Sequence, residues 1–115
     1  MAWLMPRPGL WGLINNAGIG ILCGMEWLQL SDYEEFLKTN TLGTVSVTTT
    51  FLPLIKKARG RVVNTSSVTG RISVPFGAPY CMSKYAIEAY SDALRCVCQS
   101  IILRISNRPN CYYAG

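Results

Sequence analysis

Three side chains in the middle of the sequence could together transfer a proton to or from an oxygen atom. Ser67 is followed 13 positions later by Tyr80, and Lys84 lies four residues after the tyrosine. Residues four apart on a helix are neighbours on one face, so the lysine ammonium would lie beside the phenol. A nearby positive charge favours the phenolate and lowers the tyrosine pKa from about 10. With the serine hydroxyl as a hydrogen-bonding partner, the three residues suit interconversion of an alcohol and a carbonyl.

These side chains need a scaffold, and two short apolar segments that end in small polar residues indicate one. The first segment covers residues 11–14 and continues into Asn-Asn-Ala-Gly at 15–18. The second covers residues 61–63 and ends in Asn-Thr-Ser-Ser at 64–67. Two strands separated by sequence of helical length predict a βαβ unit with parallel strands. Because ligands of open parallel sheets gather at the carboxyl ends of the strands, we expect both polar stretches at one rim.

The sequence between the two strands predicts a long helical region. A serine followed three positions later by a glutamate, at 31–34, has the form of a capping box and places a helix start near Asp32. The β-branched run 44–50 favours a strand by propensity, but a parallel crossover requires a helix in this place. We therefore expect a helix that continues to about Lys57 and is disturbed near Pro53.

Four motifs resemble, in order and spacing, those of the short-chain dehydrogenase/reductase family. They are Asn-Asn-Ala-Gly at 15–18, Asn40, Asn-x-Ser-Ser ending at Ser67, and Tyr-Cys-Met-Ser-Lys at 80–84. The surrounding sequence is similar to the branch that contains D-3-hydroxybutyrate, 17β-hydroxysteroid and retinol dehydrogenases. The resemblance implies an α/β fold, namely a fragment of a Rossmann-type doubly wound parallel sheet that lacks the N-terminal βαβ half and the C-terminal strands.

The resemblance also implies a role for each site residue. Tyr80 would exchange the proton with the substrate oxygen, while Lys84 lowers the tyrosine pKa and holds the nicotinamide ribose. Ser67 would position the carbonyl or alcohol, and Asn40 would carry a water chain that relays protons from the lysine to solvent. The implied cofactor is NAD or NADP, which accepts or supplies the hydride. The residues expected to contact the cofactor are Asn15, Ala17, Gly18, Tyr80 and Lys84.

The resemblance does not extend over the whole chain, and its limits leave two interpretations open. Residues 1–8 are expected to be an unrelated stub, 9–95 the central part of a dehydrogenase domain, and 96–115 a divergent tail. The family's Thr-Gly-x-x-x-Gly-x-Gly turn, on which the cofactor pyrophosphate rests, has no counterpart in these 115 residues. One interpretation is an oxidoreductase that interconverts a secondary alcohol and a carbonyl of the hydroxy-acid, steroid or retinoid type. The other is a catalytically inactive truncated isoform.

The same limits bear on stability and on protein partners. In the family the first strand of the sheet pairs with the segment that corresponds to 11–15. Without that strand we expect two parallel strands with an open edge, whose unpaired backbone groups make the fragment marginal or aggregation-prone. The two long helices could bind a second copy or a family partner, which gives a homo- or hetero-oligomer.

Composition excludes several other classes of site. The sequence contains no histidine, so neither a Ser-His-Asp hydrolase nor a histidine-ligated zinc site can be built. A hydrolase that uses Ser66 or Ser67 with Lys84 stays open as a minor alternative, but it leaves the position of Tyr80 unexplained. The three cysteines after residue 95 are too few for a closed zinc site and are expected as free thiols. No metal is therefore predicted.

The charge distribution and hydropathy limit the class of partner. The net charge is +5, and the basic cluster at 56–61 falls where a helix should end, which complements the helix dipole. No nucleic-acid motif accompanies the cluster, so we expect no nucleic-acid partner. No apolar run approaches the roughly 18 to 20 residues of a membrane span, so we expect no transmembrane segment in this chain. The expected partner is a small-molecule alcohol or carbonyl, and the sequence does not indicate a compartment.

Overall fold

The computed structural model describes residues 9–97 and 102–105. Its strands are β1 (Gly12–Asn15), β2 (Arg61–Thr65) and β3 (Ile102–Ile105). Its α-helices are α1 (Leu30–Phe36), α2 (Gly43–Lys57) and α3 (Ala78–Val97). A π turn (Leu37–Leu42) joins α1 to α2, and short 3-10 turns lie at Met25–Trp27 and Val68–Gly70. Helices therefore alternate with strands along the described chain, as the sequence predicts.

The strands form one parallel sheet in the order β1-β2-β3. Leu13 pairs with Val62 and Asn15 pairs with Asn64, so the two polar strand ends lie side by side. This arrangement confirms the predicted βαβ unit and places both polar stretches at one rim of the sheet.

The third strand corrects the expectation of only two. Ile102–Ile105 falls within the segment that the sequence resemblance leaves out, and it pairs in parallel with β2. Its sequence, Ile-Leu-Arg-Ile, is rich in the apolar residues that parallel strands favour. The pairing satisfies backbone groups on one edge of β2 that two strands alone would leave open. Among the described residues β1 remains at the end of the sheet, with Trp11 61% and Ile14 71% exposed.

Both long helices lie on the same face of the sheet. Asn15 of β1 bonds to Thr48 of α2, and Asn64 of β2 bonds to Ser91 of α3. Val62 and Asn64 point toward the helices and are buried, whereas Ile14 on the opposite face is exposed. The apolar core lies between the sheet and the helices, and its members include Phe36, Ile55, Ala58, Val62 and Ile87.

Helix α1 begins two residues before the predicted start, and a different pair of residues caps it. The cap is Gln29, whose backbone N–H donates to the Asp32 carboxylate at 2.7 Å. The prediction that the serine and glutamate at 31–34 form the capping box was therefore wrong. A carboxylate in the first turn also complements the positive end of the helix dipole, so Asp32 suits this position.

The predicted disturbance near Pro53 was also wrong. Helix α2 stays α-helical through Pro53 to Lys57, and the irregular segment is instead the π turn at Leu37–Leu42. Thr48 and Ile55 on either side of the proline are completely buried, so packing holds the helix across the missing N–H.

The described cysteines differ in their oxidation state. Cys96 is disulfide-bonded, which corrects the expectation of a free thiol at that position, whereas Cys23 and Cys81 are free.

Over residues 9–97, no helix combines the length and the apolar character that crossing a membrane requires.

Candidate active site

A cleft opens at the rim where β1 and β2 end, and the first turns of α3 face it. Its volume is about 220 Å³. The residues that line it come from the loop after β1, the end of β2 and helix α3, namely Asn16, Gly18, Ile19, Gly20, Thr65, Ser66, Tyr80 and Lys84. The sheet topology thus brings together groups that are far apart in sequence, as expected for a parallel sheet.

Tyr80 and Lys84 lie one helical turn apart on α3, and both face this cleft. The Lys84 Nζ atom is 5.5 Å from the centroid of the Tyr80 ring. The same Nζ donates a hydrogen bond to the Thr65 carbonyl oxygen at 3.1 Å. Lys84 is only 5% exposed, and burial lowers its pKa from the ordinary value of 10.5 because the charged form loses hydration. The pair therefore places a partly desolvated ammonium beside a phenol, as the spacing predicts.

Glycines allow the loop after β1 to approach these groups closely. A Cβ atom on Gly18 would lie 3.2 Å from Asn40 Oδ1 and 3.7 Å from Lys84 Nζ. A Cβ atom on Gly20 would lie 3.5 Å from Cε2 of the Tyr80 ring. A side chain at either position would take up space beside the lysine or the tyrosine, so the glycines keep that part of the cleft open.

Asn40 lies in the π turn and is 2% exposed. Its Oδ1 accepts from the Ile19 N–H at 2.8 Å, and its Nδ2 donates to the Ile19 carbonyl at 2.9 Å. The second Nδ2 hydrogen goes to Ser83 Oγ at 2.9 Å. Its backbone carbonyl accepts from Thr44 Oγ1 at 3.2 Å. The Asn40 side chain thus joins the glycine-containing loop after β1 to helix α3. Its position in a π turn is typical of functional sites, where such turns occur frequently.

Ser67 follows β2 directly and caps the 3-10 turn after it. Its Oγ accepts from the Thr69 backbone N–H at 3.2 Å. Among the described residues, the serine that lines the cleft is its neighbour Ser66. Of the predicted site residues, the structure therefore brings Gly18, Tyr80 and Lys84 into one cleft and Asn40 against its wall, and it places Ser67 one residue beyond the lining.

The structure places Asn15 and Ala17 elsewhere. The Asn15 amide donates at 2.8 Å both to Thr48 Oγ1 and to Asn64 Oδ1. Asn15 and Ala17 line a separate cavity of about 260 Å³ between β1 and the start of α2. The Asn15 side chain thus belongs to a hydrogen-bonded row that crosses the sheet from Thr48 to Ser91.

Two buried serines of α3 were missed by the sequence reasoning. Ser83 is 0% and Ser91 is 1% exposed, and each accepts a hydrogen bond from a buried asparagine amide. They share a helix face with Ile87, at a spacing of four residues. Polar residues in line with a core isoleucine at this spacing are a signal that could have identified them.

Comparisons with known proteins show what this chain is similar to. The sequence profile of the short chain dehydrogenase family matches residues 5–107. Retinol dehydrogenase 16 of Mus musculus is 57% identical over 88 residues, which cover 76% of this chain and 27% of that protein. Mitochondrial D-beta-hydroxybutyrate dehydrogenase of Mus musculus is 49% identical over 90 residues, which cover 78% of this chain and 26% of that protein. The chain thus spans less than a third of the length of these relatives.

The fold comparison points the same way. A short chain dehydrogenase of Escherichia coli complexed with NADPH superposes with a TM-score of 0.77 at 30% identity, covering 84% of this chain and 41% of that one. This likeness confirms the predicted fold class, a fragment of a Rossmann-type parallel sheet. The match to residues 5–107 also reaches beyond both limits of the 9–95 segment that the motifs indicate.

Proposed function

Since this chain belongs to the short-chain dehydrogenase family, we propose that it carries the Ser67, Tyr80, Lys84 and Asn40 site of an NAD(P)-dependent oxidoreductase. The reaction would interconvert a secondary alcohol and a carbonyl of the hydroxy-acid, steroid or retinoid type. The observation that carries the proposal is the convergence of Tyr80 and Lys84 in one cleft at the carboxyl ends of the strands. The named relatives are dehydrogenases of a hydroxy acid and of a retinoid, which supports these substrate classes.

Tyr80 is the proposed acid or base. Its hydroxyl gives a proton to the substrate oxygen during reduction of the carbonyl and takes it back during oxidation of the alcohol. The Lys84 ammonium attracts the negative charge that develops on the phenolic oxygen during proton transfer. Because Lys84 is 5% exposed, water screens this attraction less than it would at the surface.

The donors at the cleft fit a nicotinamide nucleotide, and NAD or NADP supplies the hydride chemistry when bound. A lysine ammonium carries three N–H donors, and one of them goes to the Thr65 carbonyl. The remaining donors can bind ribose hydroxyls, together with the Tyr80 hydroxyl. The absence of a side chain at Gly18 leaves room beside Nζ, where a Cβ atom would come within 3.7 Å. We propose Gly18, Tyr80 and Lys84 as the cofactor contacts in this cleft. Asn15 and Ala17, which line the separate cavity between β1 and α2, would support the loop after β1 from that side.

Ser67 and Asn40 are assigned roles that match their observed hydrogen bonds. Because Ser67 Oγ acts as acceptor toward Thr69 N, its own proton is available to donate to the substrate oxygen. Both amide hydrogens and one lone pair of the Asn40 side chain are used by Ile19 and Ser83, so we assign its contribution to proton relay to the backbone carbonyl. That carbonyl accepts from Thr44 Oγ1 and has a second lone pair for a water molecule.

The proposal is tested by cofactor binding and by turnover. NADH and NADPH are titrated against the chain by cofactor fluorescence, and oxidation of a hydroxy acid, a steroid alcohol and retinol is followed by NAD(P)H absorbance. Tyr80→Phe should lower turnover by about 10²-fold or more, because it removes the acid or base. Tyr85→Phe is the matched control, since Tyr85 lies on the same helix with 42% exposure. Absence of cofactor binding at millimolar concentration would overturn the proposal for this chain.

A second candidate function, a chain that binds a family partner through its helices, is favoured by exposed apolar side chains on both long helices. On α2 they are Phe51 (40%) and Leu54 (46%), and on α3 they are Met82 (49%) and Tyr85 (42%). Size-exclusion chromatography with a full-length relative tests this function. We expect co-elution that Phe51→Glu abolishes and that the exposed control Thr50→Glu retains, and separate elution of the wild-type chain would refute it.

A further inference from the structure

We propose that Ser83 is a positioning residue whose hydroxyl couples the π turn that carries Asn40 to the helix that carries Tyr80 and Lys84. The inference rests on the function proposed above, because it concerns how that site is held together. Ser83 is completely buried on α3. Its Oγ donates to the Tyr80 carbonyl oxygen at 2.8 Å and accepts from Asn40 Nδ2 at 2.9 Å.

A serine that bonds to a carbonyl three residues earlier is a common local feature of helices, and alone it would carry no argument. Ser83 differs because two further hydrogen bonds join it to the π turn. One comes from Asn40 Nδ2, and the other runs from Thr41 Oγ1 to the Ser83 carbonyl at 3.1 Å. Their partners are separated from Ser83 by 43 and 42 residues in sequence. These bonds therefore fix the tertiary position of the first turns of α3.

The connection continues from Asn40 to the wall of the cleft. The remaining polar groups of the Asn40 side chain bond to the N–H and carbonyl of Ile19. Ile19 lies between Gly18, whose added Cβ would meet Lys84 Nζ, and Gly20, whose added Cβ would meet the Tyr80 ring. Through Asn40, the Ser83 hydroxyl thus links the helix that presents the functional groups to the loop that packs against them.

Removal of the hydroxyl has a defined consequence. The Asn40 amide has two hydrogens, and Ser83 Oγ is the acceptor for one of them. Without it, a buried donor loses its partner, and the side chain must shift or admit water to recover a hydrogen bond. Either response loosens the loop beside Lys84 and hydrates the ammonium.

The test compares Ser83→Ala with Ser91→Ala. Ser91 is a matched control because it is 1% exposed on the same helix and accepts from Asn64 Nδ2 at 2.9 Å. Two quantities are measured in each full-length variant. The first is the pH midpoint for modification of Lys84 by an amine reagent, followed by peptide mass spectrometry. The second is the affinity for NADH and NADPH.

We expect Ser83→Ala to move the Lys84 midpoint upward, toward 10.5, because hydration favours the charged form. Cofactor affinity should fall about tenfold or more, since the lysine is a proposed ribose contact. Ser91→Ala should lower stability comparably while it leaves the midpoint unchanged and the affinity within about twofold.

Two results would overturn the proposal: equal shifts of the midpoint in both variants, or an unchanged midpoint in Ser83→Ala. If the wild-type chain binds no cofactor, the proposed function fails, and the Lys84 midpoint still decides the role of Ser83. If Ser83→Ala does not fold, Ser83→Cys fills the site with a slightly larger thiol that is a weaker acceptor. A wild-type midpoint in Ser83→Cys would then count against the proposal, and an upward shift would support it.

Discussion

Replacement of Asn64 by alanine should destabilise the fold strongly, although Asn64 lies outside the apolar core. Asn64 is 2% exposed, and its Oδ1 accepts from Asn15 Nδ2 at 2.8 Å. Its Nδ2 donates to Ser91 Oγ at 2.9 Å. Asn64→Ala removes both bonds and leaves a donor on Asn15 and an acceptor on Ser91 without these partners.

The magnitude follows from the burial of those two partners. A buried polar group left without a hydrogen bond costs about 1–3 kcal/mol. Ser91 is 1% exposed and should bear most of this cost, whereas Asn15 is half-buried and can recover part of it from water. With the small cavity left by the amide, we expect a loss of about 3 kcal/mol. Domains have total stabilities of about 5–15 kcal/mol, so this loss is a large fraction.

Urea unfolding followed by far-ultraviolet circular dichroism measures the change. The matched control is Thr50→Ala, which removes an exposed hydrogen bond of 2.9 Å to the Ser46 carbonyl and should change stability by less than about 0.5 kcal/mol. A loss below about 1 kcal/mol in Asn64→Ala, or one no larger than in the control, would refute the reasoning. Such a result would mean that water replaces Asn64 as the hydrogen-bonding partner of Asn15 and Ser91 in the folded variant.

Two further predictions concern a charge and a backbone contact. Burial lowers the pKa of Lys84 in the folded state, so between that value and 10.5 the unfolded chain binds more protons and stability rises with pH. In urea unfolding measured at a series of pH values from about neutral to 10.5, Lys84→Met should remove this part of the rise in stability with pH. An unchanged dependence of stability on pH would contradict the assignment to Lys84. Gly60→Ala should lower the Tm by about 10 °C, since the added Cβ would lie 2.5 Å from the Trp11 carbonyl oxygen. A calorimetric Tm within about 2 °C of the wild-type value would contradict this prediction, because it would mean that the backbone before β2 accommodates the Cβ atom without a loss of stability.

Much of the architecture follows from local sequence. Apolar runs that end in Asn-Asn-Ala-Gly and Asn-Thr-Ser-Ser indicate strands with polar carboxyl ends, and parallel pairing then brings those ends together. The i,i+4 spacing of Tyr80 and Lys84 is also local information, because a single helix suffices to make them neighbours. These features were predictable because they depend on chain geometry within one element or one βαβ unit.

Elements that depend on distant packing were not predictable in the same way. The proline rule pointed to a disturbance near Pro53, whereas the irregular turn lies at Leu37–Leu42, where Asn40 must reach both Ile19 and Ser83. The sequence of Ile102–Ile105 is short and apolar, and such a run does not distinguish a strand from a segment of a buried helix. Its parallel pairing with β2 makes it a strand.

By itself, the sequence indicated candidate residues for proton transfer and predicted that a parallel sheet would bring its two polar strand ends to one rim. Only the tertiary structure decided how those residues are held. It directs the Lys84 ammonium to the Thr65 carbonyl and assigns the Asn15 amide to the interior of the sheet. It also makes two buried serines the acceptors for two asparagines. The physical reason is that a buried polar group must find a partner, and that partner is set by three-dimensional proximity and not by sequence spacing.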